Sequence, residues 1–297
     1  MTPRILDTVP EFARLWGRIR NASVRDQVDG WARLYGSEWP DLLRRQQQDY
    51  RARGVSWRET AERRVFPKLP QLWRRIRLAH RALLQAIPVA DARLRDQFQI
   101  PSGVVHVLHV GIGCGAGWAT EYEGTPAILY GLENAAELGW TGRQRLTGHV
   151  VHELVHLAHS ELRAKSGQPT IDRIRGPFGP LYVEGFATRV ERQVLSARPT
   201  RDFDRDLGWS AWCQAHQREL ALEFMDSIRR HRSVARFFGS WYRVGGHIET
   251  GYWLGAELIR SLEPSMSLTD IATLSPASIR SELAESLHRM ASARAPS

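Results

Sequence analysis

Residues 149 to 162, HVVHELVHLAHSEL, constrain this chain more than any other stretch. His152 and His156 are four residues apart, so on an α-helix both rings stand on one face and can turn a nitrogen toward a single cation. Glu153 follows about 100° further round, beside that position, where its carboxylate can hold a water rather than bind the cation. Val151, Leu154, Val155, Ala158 and Leu162 fall on the opposite side, which predicts a helix with core on one face and the histidines on the other. The spacing also arises by accident in unrelated chains, and its weight here comes from that segregation. His149 and His159 flank the stripe, three residues before His152 and three after His156, and read as ordinary polar-face histidines.

A catalytic cation needs a third protein ligand and an open fourth position. A metzincin would place Gly at position 159 and His at 162; the chain has His159 and Leu162, which excludes that class. The next candidate lies in LYVEGFATRVERQVL, residues 181 to 195, a second amphipathic pattern with Glu184 near its start. Glu161 points away along the first helix, and Glu191 lies two turns beyond Glu184.

HELVH and VEGFATRVE together resemble the HExxH and NEGFA-type motifs of gluzincin zinc peptidases. GYWLGAELI, residues 251 to 259, is similar to the Gly-Tyr segment of the YjaZ-like family of predicted Zn-dependent proteases. The resemblance spans roughly residues 100 to 265. Val183 stands where many aminopeptidases carry Asn, and the spacing between motifs is longer, so aminopeptidase specificity is not implied. What the resemblance implies is an α+β, zincin-like catalytic domain in which Zn²⁺ is held by His152, His156 and Glu184. Glu153 would be the general base of a peptide hydrolase, with a peptide or protein as substrate. Tyr252, in the Gly-Tyr segment, is the candidate donor to the developing oxyanion, with His247 the alternate. A non-catalytic binding protein on a degenerate zincin fold is the other class to keep.

A chain of 297 residues can form one large or two moderate cores. The expected division is a helical N-terminal region over residues 1–100 and a metallopeptidase domain over 101–297. The formal charge of +9 suggests nucleic acid until it is divided. Residues 1–100 hold 20 Lys+Arg against 11 Asp+Glu, and residues 101–297 hold 21 against 21, so all the excess is N-terminal. Lys68 and Lys165 are the only lysines, so Arg is the general surface cation. Trp16, Trp31, Trp39, Trp57 and Trp73 read as core residues of amphipathic helices rather than base-stacking platforms. No nucleic-acid motif is present, and no nucleic-acid partner is expected. Neither an apolar run of membrane-spanning length nor a signal-peptide core appears, so no membrane association and a cytoplasmic location are expected. Cys114 and Cys213 have no disulfide framework or zinc-ribbon spacing and read as free thiols.

The N-terminal third reads as five helices punctuated by Gly36, Pro40, Gly54, Pro67, Pro70 and Pro88. From about residue 101 the pattern turns to strands: VVHVLHVGIG, AGWATEY and TPAILYGL, the last two joined at Glu123-Gly124 as a hairpin. The sheet is therefore expected to be small and mostly antiparallel, with Glu133-Asn134 at the end of a strand. VLHVGIGCGAG also resembles the glycine-rich motif of S-adenosylmethionine-dependent methyltransferases. That loop must open a helix, whereas WATEYEGTPAILY is rich in β-branched and aromatic residues with Gly and Pro. Downstream, RPTRDFDRD reads as a charged loop and GWSAWCQAHQRELALEFMDSIRRH as one long helix. GYWLGAELIRSLE and SPASIRSELAESLHRM follow as further helices, with a turn at Gly245-Gly246 and Ser275 as an N-cap.

Overall fold

The computed structural model describes residues 3–195, 208–238 and 243–292. Over the described residues the chain is mainly helical with one four-stranded sheet, and it divides into two compact units, Met1–Leu154 and Val155–Ser297.

The first unit opens with a short strand, β1 (Arg4–Asp7), followed by α1 (Val9–Ile19), α2 (Val24–Glu38), α3 (Pro40–Ala52), α4 (Trp57–Thr60) and α5 (Leu69–Arg95). Then come β2 (Val105–His109), β3 (Trp118–Tyr122), β4 (Thr125–Gly131), α6 (Leu132–Glu137) and the start of α7 (Arg143–Lys165). The sheet order is β1-β2-β4-β3. β1 pairs with β2 and β2 with β4 in parallel, and only β3 with β4 is antiparallel. The sheet is therefore mixed, which corrects the expectation of a mostly antiparallel one. Parallel neighbours need a long crossover, and α1 to α5 are that crossover between β1 and β2. The N-terminal helices and the sheet thus share one unit.

β2 is buried along its whole length, as a central parallel strand should be. Its end is held by aromatic side chains of the crossover: the Trp31 indole donates to the Val110 carbonyl at 2.9 Å, and the Val110 amide donates to the Tyr35 hydroxyl at 3.2 Å. Trp16 and Trp31 are core residues, and Trp73 packs against both Phe12 and Trp16. The β3–β4 hairpin turns at Glu123 and Gly124, both at positive φ (48° and 74°), as a two-residue turn of this hand requires.

Two boundaries differ from the sequence reading. α5 continues through Pro88 rather than ending there. Pro88 is exposed, so the carbonyl it leaves without a helical donor can meet water, and the apolar stripe on the other side keeps the helix packed. Glu133-Asn134 starts α6 instead of ending a strand.

The second unit receives the end of α7 and contains α8 (Phe178–Leu195), α9 (Trp209–Ala215), α10 (Gln217–Arg229), α11 (Thr250–Leu262), α12 (Leu268–Ala272) and α13 (Pro276–Ser292). The stretch read as one long helix is two, α9 and α10, broken at His216 (φ −110°, ψ 21°). Ser275 accepts from the Ser278 amide and caps α13 as expected. The expected loop RPTRDFDRD falls outside the described residues.

α8 and α11 cross backbone against backbone. A Cβ on Gly185 would stand 2.6 Å from the Gly255 Cα, and one on Gly255 would collide with the Leu181 carbonyl oxygen. The crossing is flanked by paired charges, with Arg189 bidentate to Glu263 and Arg192 on Glu257 at 3.1 Å. Since Gly185 is the residue after Glu184, this crossing sets the register of the segment that carries the glutamate. Gly185→Ala must push two helix backbones apart, and we expect it to lower unfolding stability by about 1–3 kcal/mol. A denaturant midpoint equal to wild type would contradict that.

Candidate metal centre

α7 is buried on every side across residues 150–159, more completely than an amphipathic surface helix. Polar groups on such a helix need partners, and they divide into three sets.

The first set is His152 and His156, one turn apart, with Glu184 from the first turns of α8. One ligand atom from each of the three lies within 4.8 Å of the others. His156 Nε2 and Glu184 Oε2 are 3.4 Å apart, close to the edge of a tetrahedron built on metal–ligand bonds of about 2.1 Å, which is about 3.4 Å. The two rings are buried and the Glu184 side chain is about one quarter exposed. As metal ligands, two neutral imidazoles and one carboxylate would carry a net negative charge in a mostly dry place, which a divalent cation balances. The three residues could therefore hold a metal ion. Among the described residues no other group of three His, Cys, Asp or Glu side chains is gathered this way. Glu161 instead pairs with Lys165 at 2.7 Å, and neither it nor Glu191 contributes to the group.

The second set is Glu153 with His149. Glu153 is buried, and its Oε1 lies 3.8 Å from His149 Nδ1, one helical turn back. His149 packs against Trp140 and, edge-on, against Tyr130. Burial lowers its pKa, and the Glu153 carboxylate partly offsets this. It is thus a mostly enclosed neighbour of Glu153 rather than a surface histidine. The backbone entering β3 rests on both groups: a Cβ on Gly117 would lie 2.7 Å from Glu153 Oε1 and would overlap the His149 ring. Only glycine fits there, a requirement set by tertiary contact.

The third set is His159 with Arg163. His159 bonds the Tyr182 hydroxyl (3.2 Å) and the Ala272 carbonyl (3.1 Å), and burial holds its pKa well below the usual imidazole range. Arg163, fully buried, donates to the carbonyls of Pro169, Ala272 and Leu274 and to Tyr182. The sequence reading put His159 on a polar face. It is instead part of a lock that joins α7 and α8 to the end of α12.

The glycine-rich loop after β2 has its own internal ligand. Buried Glu133 accepts from the amides of Gly111 (2.7 Å) and Gly113 (3.0 Å), and Gln46 Oε1 accepts from Ile112 at 3.2 Å. Burial raises the Glu133 pKa, and the two amides pull it back. The backbone donors that would face a cofactor are thus used by the protein, and the loop leads into β3 rather than a helix. His109, at the end of β2, is driven by burial down to about 3 and is neutral.

Tyr252 lies half-buried in the first turn of α11 with its ring 5.9 Å from that of Phe238. His247 closes a turn with Val244 and stacks on Trp212 at 4.1 Å, and His216 also stacks on that indole, at 4.2 Å. The close group of ligand atoms contains neither residue. Cys114 and Cys213 are not joined in a disulfide, and no described helix is long and apolar enough to cross a membrane.

Comparison of the chain with family models, with curated proteins and with solved structures gave no match.

Proposed function

We propose that this chain is a zinc-dependent metallopeptidase of the gluzincin type. The observation that carries the reading is the group formed by His152, His156 and Glu184, with Glu153 adjacent to it on the same helix. His152, His156 and Glu184 would hold the zinc, which when bound makes water a nucleophile near neutral pH and polarises a carbonyl. Glu153 takes the proton from the attacking water and passes it to the leaving amine. Its burial and the Gly117 backbone against it keep the carboxylate from swinging into solvent. β3 is a sheet edge, and an edge strand offers backbone donors and acceptors to an extended peptide. It begins one residue after Gly117, so a peptide paired along it would pass close to Glu153.

Two measurements follow. After zinc reconstitution and dialysis the protein should retain about one zinc per chain; failure to retain any would overturn the reading. Tyr252 is assigned the hydrogen bond to the carbonyl oxygen as it becomes anionic. Tyr252→Phe is expected to lower turnover about tenfold to a thousandfold with zinc content unchanged, and full activity would move that role elsewhere.

A further inference from the structure

Between Glu62 and Asp91 the chain has no acidic residue, while it carries seven cations: Arg63, Arg64, Lys68, Arg74, Arg75, Arg77 and Arg81. Four of these, Arg74, Arg75, Arg77 and Arg81, are exposed on the first half of α5, and their side chains make no hydrogen bond or ion pair with any described residue. Many other exposed arginines are matched to acids on their own helices, as Arg53 is to Asp49, Arg63 to Glu59, Arg229 and Arg230 to Asp226, and Arg289 to Glu285. A surface arginine without a carboxylate is ordinary, but four within two turns, on a helix otherwise built for burial, form a concentrated positive stripe. Arg74, Arg77 and Arg81 fall within about 60° of one another around the helix, with axial steps of about 4.5 and 6 Å.

The surroundings select among anionic partners. An anionic bilayer is bound by helices that insert apolar residues, but the apolar side of α5 (Ile76, Ala79, Leu83, Ala86, Ile87) is in the core. A protein partner needs an apolar anchor at the centre of its interface; between Arg74 and Arg81 no apolar residue is exposed, Leu78 being half-buried, and exposed Val89 lies two turns beyond the stripe. Phosphates along a nucleic-acid strand are spaced comparably to the arginines, and the planar guanidinium is suited to bidentate phosphate contact. Base stacking is not offered, since Trp16 and Trp31 are core residues and Trp73 packs into the same cluster as Trp16. We propose that the Arg74–Arg81 face of α5 binds the phosphodiester backbone of nucleic acid without reading bases. This departs from the expectation that the N-terminal charge is merely a solvated surface, and it does not depend on the metal centre.

The test is the binding of a labelled duplex DNA, followed by anisotropy across a salt series on the full chain. Each phosphate contact contributes about 0.9 to the slope of log affinity against log salt. Replacing Arg74, Arg77 and Arg81 by Gln keeps helix propensity and should weaken binding about tenfold or more at low salt, with the slope falling by about three. The triple variant Arg229→Gln, Arg230→Gln, Arg289→Gln removes the same charge from other helices and should leave affinity and slope unchanged. Absence of binding by the wild-type chain at low salt overturns the proposal, as does equal loss in the control variant. Equal competition by polyglutamate would assign the stripe to an acidic protein and overturn it too.

Discussion

Glu153→Gln is expected to reduce peptide hydrolysis by about a thousandfold or more while metal content and fold stay at wild-type levels. The substitution keeps the size of a side chain enclosed by His149 and the Gly117 backbone, and an amide can occupy the same hydrogen-bonding space. What it removes is the ability to accept a proton from water and return it to the leaving nitrogen. The first loss falls on the attack of water and the second on the departure of the amine, so turnover collapses while His152, His156 and Glu184 are untouched. Glu153→Gln with undiminished turnover would show that the residue does no proton transfer. A variant that loses both metal and activity would instead make Glu153 a ligand.

Glu184→Gln has the opposite signature. An anionic donor becomes a weak neutral one in a mostly buried group that relies on one negative charge to balance a cation. Zinc affinity should fall at least about a hundredfold, the upper end of what changes in outer-sphere partners cost. Activity then follows metal occupancy and is partly restored by excess zinc. Glu191→Gln, measured beside it, should bind zinc as the wild type does, because Glu191 is not in the group of ligand atoms. The reverse outcome, metal lost only in Glu191→Gln, would reassign the third ligand without removing the His pair.

The central helix was readable because a period of 3.6 residues and a four-residue His spacing report on the same object, and α7 is that helix. Its environment was less readable. Periodicity marked one apolar side, whereas the structure buries α7 all round, so the histidines taken for polar-face residues are enclosed. His149 sits against Glu153, and His159 locks onto Tyr182 and the Ala272 carbonyl. The β3–β4 hairpin was visible in its local turn chemistry. β1 was not, since four residues carry little pattern and its pairing partner lies about a hundred positions away. The same non-locality hid the parallel pairings and, with them, the fact that the N-terminal helices are the crossover of the sheet. Gly185 and Gly255 are single glycines with no turn signature, and Gly117 ends a glycine-rich run; only the approach of another backbone or side chain explains all three. Pro88 misled in the other direction: a proline usually ends a helix, but on an exposed face the lost hydrogen bond is cheaper than giving up the packed stripe beyond it.

The most direct test of the central claim is digestion of a mixed peptide library by the zinc-reconstituted chain, read by mass spectrometry beside the Glu153→Gln variant. New peptide termini should appear with the wild type, disappear on chelation, return with zinc, and be essentially absent with the variant. A wild-type chain that holds one zinc and cleaves nothing would contradict the peptidase account and leave a metal-binding protein. Equal cleavage by both proteins would trace the hydrolysis to something other than Glu153.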